Sequence, residues 1–158
     1  MPDAKKLTII ASKGALDMAY PPLILATTAA AMDVETTIFF TFYGLEIIKK
    51  GNADRLKVSP LGNPAMPMPM PIPALVSALP SMQAIATSMM KSMFKKHGVA
   101  TIGELLELAK EGGVKLIACQ MTMDVMGIKQ SDIIDGVEFG GAATWLDNAA
   151  DSQINLFV

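Results

Sequence analysis

Apolar and polar positions along this chain switch between a period near two and a period near 3.6, and the switches divide it into short strands and helices. Residues 5–12 (KKLTIIAS) form a short β-rich apolar run behind two charges, which predicts a buried strand. Residues 34–42 (VETTIFFTF) are β-branched and aromatic and predict a second, and residues 114–119 (VKLIAC) a third. Residues 136–139 are a weaker candidate, and residues 154–158 (INLFV) close the chain as a last strand.

Helical spacing fills the intervals. A helix is expected over 23–32, with Pro21 and Pro22 in its first turn or just before it, since a deeper proline removes an N–H and clashes with the preceding turn. One or two turns are expected over 44–50, with lysines at the C-terminal end where the helix dipole favours them. Pro80 reads as the first residue of a helix running to about Lys96. On it Met82, Ile85, Ala86, Met89 and Met93 share a stripe, opposite Gln83, Thr87 and Lys91; the stripe is expected to pack in the core or against another subunit. Thr101 and Glu104 have the spacing of a capping box, and Leu105, Leu106, Leu108 and Ala109 carry an apolar face until Gly112 and Gly113 stop it. A short helix over 122–126, a turn capped by Ser131 or Asp132, and a helix over 142–150 complete the pattern.

Strands alternating with helices imply a single-domain, three-layer α/β fold, with a mainly parallel sheet of about five strands and helices on both faces. In such sheets the loops after the carboxyl ends of the strands gather on one edge, where ligands bind. That edge should collect Ser12, Lys13 and Gly14, then Tyr43 and Gly44, then Cys119, Gln120 and Met121, then Gly140 and Gly141. Glycine in three of these four turns would let backbone approach a bound group.

Composition narrows the classes. Of 158 residues 51% are apolar and 18% charged, which excludes a disordered chain. A net charge of −2 gives no electrostatic case for nucleic acid. One cysteine cannot form an internal disulfide, and the first ten residues lack the apolar run of a signal peptide, so a reducing cytoplasm is the expected setting. Residues 58–90 hold no charge but seven prolines. That many breaks exclude a membrane-spanning helix. The Met/Pro-rich loop and the helix after it, about residues 58–96, read as an insertion whose surface is built to be covered by a subunit, a partner or the membrane interface.

Cys119 is the chemical candidate. It stands where an apolar strand ends and a helix is about to begin, a position whose backbone N–H groups favour the reactive thiolate, and Lys13 from the neighbouring turn would add positive charge. The alternative is a buried inert thiol, since cysteine is among the most buried residue types. His97, the single histidine, reads as the C-terminal cap of its helix, and nothing in the sequence places it beside Cys119. One Cys and one His cannot furnish a four-ligand zinc site, and no cofactor fingerprint is present. Met66, Met68 and Met70 have the soft thioethers of a copper(I) site, but without accompanying cysteines or histidines they read as flexible apolar contacts. Asp17 and Asp124 read as cap or turn residues, and Asp135 has no inferable partner.

Six segments together resemble the DsrE/DsrF-like family, in its peroxiredoxin-like or sulfurtransferase branch: SKGALD (12–17), IFFTFYGL (38–45), KVSPLGNPAMPMPMP (57–71), MMKSMFKKHG (89–98), ACQMTMDVMG (118–127) and DGVEFGGAATWL (135–146). The resemblance implies a five-stranded, mainly parallel fold assembled into homo-oligomers, with sulfur carried on a cysteine as a persulfide or as bound thiosulfate. The family cysteine matches Cys119. Some relatives have further cysteines, and this chain has none, so a resolving thiol within the subunit is not expected. The function expected is that of a cytoplasmic sulfur carrier or sulfurtransferase. Cys119 would be the nucleophile, with Lys13, Gly14, Tyr43, Gly44, Gln120 and Met121 around the cargo. No cofactor or metal is expected. Its partners would be sulfur donor and acceptor proteins or small sulfane-sulfur compounds. The alternatives are a non-enzymatic oligomeric adaptor, touching the membrane surface through the Met/Pro region, and a single-cysteine thiol redox protein.

Overall fold

The computed structural model describes residues 5–59 and 79–158. The Met/Pro run with Met66, Met68 and Met70, and most of the loop expected over 51–73, lie outside the described residues. Five strands, β1 (Lys6–Ala11), β2 (Glu35–Phe40), β3 (Lys115–Cys119), β4 (Val137–Gly140) and β5 (Ile154–Phe157), pair in parallel in the order β4-β3-β2-β1-β5. Between them run α1 (Leu16–Ala31), α2 (Pro80–Lys96), α3 (Ile102–Glu111), α4 (Gln120–Met126) and α5 (Ala142–Ala150), with 3₁₀ turns at Phe42–Ile47, Ala53–Arg55 and Gln130–Asp132.

The connections decide how the layers are filled. From β1 to β4 the chain steps across the sheet in one direction, and the residues of α1, α2, α3 and α4 that pack inward join one cluster on one face. From β4 it must return past three strands to β5, so a right-handed crossover puts α5 on the opposite face. Strand alternation then sorts the side chains. Leu7, Ile9, Ala11, Ile38, Phe40, Leu116 and Ala118 point into the main core with Leu16, Leu23, Ile102 and Leu106. The other face carries Phe39, Ile117 and Cys119, against which Ile10 and Trp145 of α5 pack. At the amino ends of the strands this second face is ionic, with Lys6–Glu35 at 3.6 Å and Lys115–Glu138 at 3.3 Å. At their carboxyl ends it is apolar.

Three expectations are corrected. α1 begins at Leu16 and includes Pro21 and Pro22 at its sixth and seventh positions, a turn and a half earlier than their chemistry suggested. The start is fixed from outside: Leu16 N–H donates to Lys57 O at 2.9 Å, and Leu16, Ala19, Tyr20, Leu23 and Ala26 bury one face, so packing outweighs the two lost N–H donors. The stripe of α2 is also turned. Ile85, Met89 and Met93 are 56%, 38% and 40% exposed, whereas Ala86, Met90 and Phe94 pack on the core and Thr87 is buried. The cause is Val58, whose buried backbone needs partners. Thr87 Oγ1 accepts from Val58 N–H at 3.1 Å, and Gln83 Nε2 donates to Val58 O at 2.8 Å, so two polar residues face inward. On α3, the capping box of Thr101 and Glu104 is formed, but Leu108 is half exposed.

Candidate functional site

Cys119 is the last residue of β3 and directly precedes α4, which starts at Gln120 rather than at Thr122. It is 4% exposed, and its register partner in β4 is Gly140. Its odd position in the strand, shared with Ile117, sends the thiol to the thinly covered face. Cys119, Phe39 and Ile117 form a small cluster there, capped by Trp145 at the fourth residue of α5. A Cβ on Gly140 would come within 2.8 Å of the Thr144 hydroxyl, so this glycine lets the first turn of α5 sit tightly on the end of β4.

Two hydroxyls hold the start of α4 against the neighbouring turn. Thr122 Oγ1 lies 3.1 Å from Thr41 Oγ1 and accepts from Phe42 N–H at 3.4 Å. Phe42 has φ +47°, a left-handed conformation that a bulky side chain seldom adopts, and the residue is 57% exposed. With Tyr43 and Met121, both more than half exposed, it forms an apolar rim on the carboxyl edge of the sheet.

The other expected residues divide. Gly14 and Gly44 interlock the turns after β1 and β2: a Cβ would meet Tyr43 O at 2.2 Å from Gly14, and Ala11 O at 2.0 Å from Gly44. The space beside each of these two glycines is filled by the backbone of the other turn. Lys13 is exposed at the end of β1, with β2 between it and Cys119, and its ammonium makes no ion pair with a described residue. The Gln120 side chain is engaged along α4, with Nε2 donating to Asp124 Oδ1 at 2.8 Å and Oε1 accepting from Gln130 Nε2 at 3.3 Å. His97 caps α2, whose inward residues pack on the main core, so the sheet separates it from the thiol. Asp135 pairs with Lys50 at 3.5 Å. Among the described residues no group of three or more His, Cys, Asp or Glu side chains could hold a metal. No described helix is long and apolar enough to cross a membrane.

A sequence model described as the DsrE/DsrF/DrsH-like family matches residues 3–157. The chain belongs to that family. It is 53% identical over 160 residues, 99% of each chain, to the sulfur carrier protein DsrE2 of Allochromatium vinosum. It is 37% identical to the uncharacterized protein YrkE of Bacillus subtilis, over 98% of this chain and 97% of that one. The fold is shared with the ychN protein of E. coli at a TM-score of 0.56 and 14% identity, over 98% of this chain and 99% of the other. The family resemblance and the five-stranded α/β fold expected from sequence are therefore both borne out. Trp145, Thr122 and Phe42 were not singled out by sequence reasoning. The only tryptophan of the chain, four residues after a Gly–Gly pair, was the available signal for the first.

Proposed function

We propose that this protein is a sulfur carrier whose cargo is held on Cys119. The observation that carries the reading is the placement of the thiol at the carboxyl end of a central parallel strand, on the apolar second face beneath a single short helix, in a chain that is 53% identical to a named sulfur carrier. The Cys119 thiolate attacks the sulfane sulfur of a donor persulfide. A new S–S bond forms at Sγ, the donor's own S–S bond breaks, and the donor leaves as a thiolate. An acceptor thiolate then attacks the outer sulfur and restores the Cys119 thiolate, so no net oxidant or reductant is consumed. With tetrathionate as donor, the same attack leaves a thiosulfonate on Sγ and releases thiosulfate. The apolar surround of Phe39, Ile117 and Trp145 keeps water and stray thiols from the outer sulfur, which is what a carrier needs between partners.

The test is the intact mass of the reduced protein after incubation with polysulfide or tetrathionate, beside Cys119→Ser. Added mass on the wild type alone, removable by reductant, is expected. No adduct from either donor would refute the reading.

A second reading concerns assembly. Ile85, Met89 and Met93 on α2 face away from the core, which supports a role for this stripe as an interface between copies of the chain. Light scattering that shows a monomer would refute it. Sedimentation with anionic liposomes would instead point to the membrane contact that the neighbouring Lys95 and Lys96 permit.

A further inference from the structure

The indole nitrogen of Trp145 is buried and makes no hydrogen bond, either to the thiol or to any other described group. Only one other buried side-chain nitrogen or oxygen among the described residues is unpartnered. That is Asp17 Oδ1, an acceptor on α1, which lies against the opposite face of the sheet. A buried N–H without an acceptor is costly, and such groups in folded proteins call for an explanation. The described residues around this one supply none. The indole packs on Phe39, Ile117 and Cys119, whose side chains offer no oxygen, and a neutral thiol is only a weak acceptor.

An acceptor would arrive with the cargo. A persulfide ionised at its outer sulfur, or a thiosulfonate with three oxygens, is anionic, and on Cys119 it would be carried at the cluster on which Trp145 packs. We infer that the indole N–H of Trp145 is the donor that receives the anionic sulfur group carried on Cys119. This rests on the sulfur-carrier reading and adds a positioning residue to it. The local backbone supports the geometry. Gly140, opposite Cys119 in the β3–β4 pair, lets α5 descend onto the sheet, and Trp145 N–H donates to Gly141 O at 3.2 Å, which fixes the first turn that carries the ring. A charge-assisted bond in a water-poor site holds its partner more firmly than a neutral one. The indole would thus distinguish the loaded state from the empty one.

Trp145→Phe keeps an aromatic ring in the cluster and removes the donor. In both proteins the fraction of Cys119 carrying added sulfur is followed by intact mass after the donor is removed, with urea unfolding as the check that the fold is equally stable. The variant is expected to lose its adduct about tenfold faster, the scale of one hydrogen bond to an ion. Trp145 is the only tryptophan, so emission excited beyond the absorption band of the two tyrosines reports on it alone. Loading should shift that emission, and Cys119→Ser should show no shift under the same treatment. Equal adduct lifetimes in two equally stable proteins would overturn the role of the indole and leave the carrier reading standing. Should the variant fail to fold, wild-type emission unmoved by mass-verified loading would overturn it equally. Failure of the wild type to take up any sulfur would remove the carrier reading and this inference together.

Discussion

Thr122→Val tests whether the hydroxyl pair behind Cys119 holds α4 in place. Valine keeps the branched shape and removes the oxygen, so the change isolates the hydrogen bonds. Thr122 is 2% exposed and Thr41 is 9% exposed, so water cannot readily replace the lost partner. The substitution orphans the Thr41 hydroxyl, previously 3.1 Å from Thr122 Oγ1, and the Phe42 N–H, previously 3.4 Å from it. The second contact is long and contributes less, which puts the total at about 2 kcal/mol. For a chain of this size that corresponds to a fall in Tm of roughly 4–8 °C. Thr41→Val should cost about 1 kcal/mol, because Thr122 then still accepts from Phe42. The double variant removes both hydroxyls at once and leaves only the backbone N–H unpaired. It should be less destabilised than the sum of the singles, with a coupling of about 1 kcal/mol. Urea unfolding of the four proteins supplies the cycle. Because the first turn of α4 follows Cys119 directly, Thr122→Val should also speed alkylation of the native thiol. A cost under about 0.5 kcal/mol, the scatter of an unremarkable surface change, would refute the reasoning, and so would strict additivity.

Gly44→Ala places a Cβ 2.0 Å from a backbone oxygen, so the turns after β1 and β2 must part; the expected loss is about 3 kcal/mol by urea unfolding, at the upper end of overpacking costs. Gly141→Ala has no atom within 4 Å of the new methyl and φ of −109°, and should cost less than about 1 kcal/mol; equal losses at the two sites would refute the steric argument. Burial pushes the Tyr20 phenol above its ordinary range, with Glu104 and Asp54 adding to the shift. The raised value lies on the folded side, so this contribution to stability is complete below the unfolded phenol's value and is lost as pH rises through the folded one. Wild type should therefore lose stability relative to Tyr20→Phe above a pH of about 10, and a gap that stays constant from pH 9 to 11 would count against it.

The strands were legible because their signal is local. β-branched runs such as 34–42 and 114–119 differ from the observed β2 and β3 only at their ends. Thr101 and Glu104 form their capping box because both partners lie within one turn. What sequence misjudged was set by distant backbone. The prolines of α1 are tolerated because Lys57 O fixes the start of that helix, and α2 turns its threonine inward because Val58 must be hydrogen-bonded. Gly14 and Gly44 stand at the carboxyl edge of the sheet, and the close approaches they permit are between protein segments, across 29 residues or more of chain in each turn pair. Cys119 could be found from sequence as a strand-end thiol, whereas its neighbours Phe39 and Trp145 belong to elements that only the topology brings together.

That topology also bears on how a buried thiol could do the work proposed for it. Leu116 and Ala118 lie in the core under the α1 and α3 layer, whereas Ile117 and Cys119 alternate to the other side. A slip of one residue in β3 would turn the thiol to the other face, into the main core. In the observed register it lies at the carboxyl edge of the sheet, under the first turn of a nine-residue helix, with the exposed Phe42, Tyr43 and Met121 on the same edge. The cover exists because β5 returns to the far side of β1 and requires a crossover on that face. Among the described residues it is thin, because one helix makes that journey alone. Burial at Cys119 is thus compatible with the chemistry proposed for it, because the cluster around the thiol is separate from the main core on the opposite face.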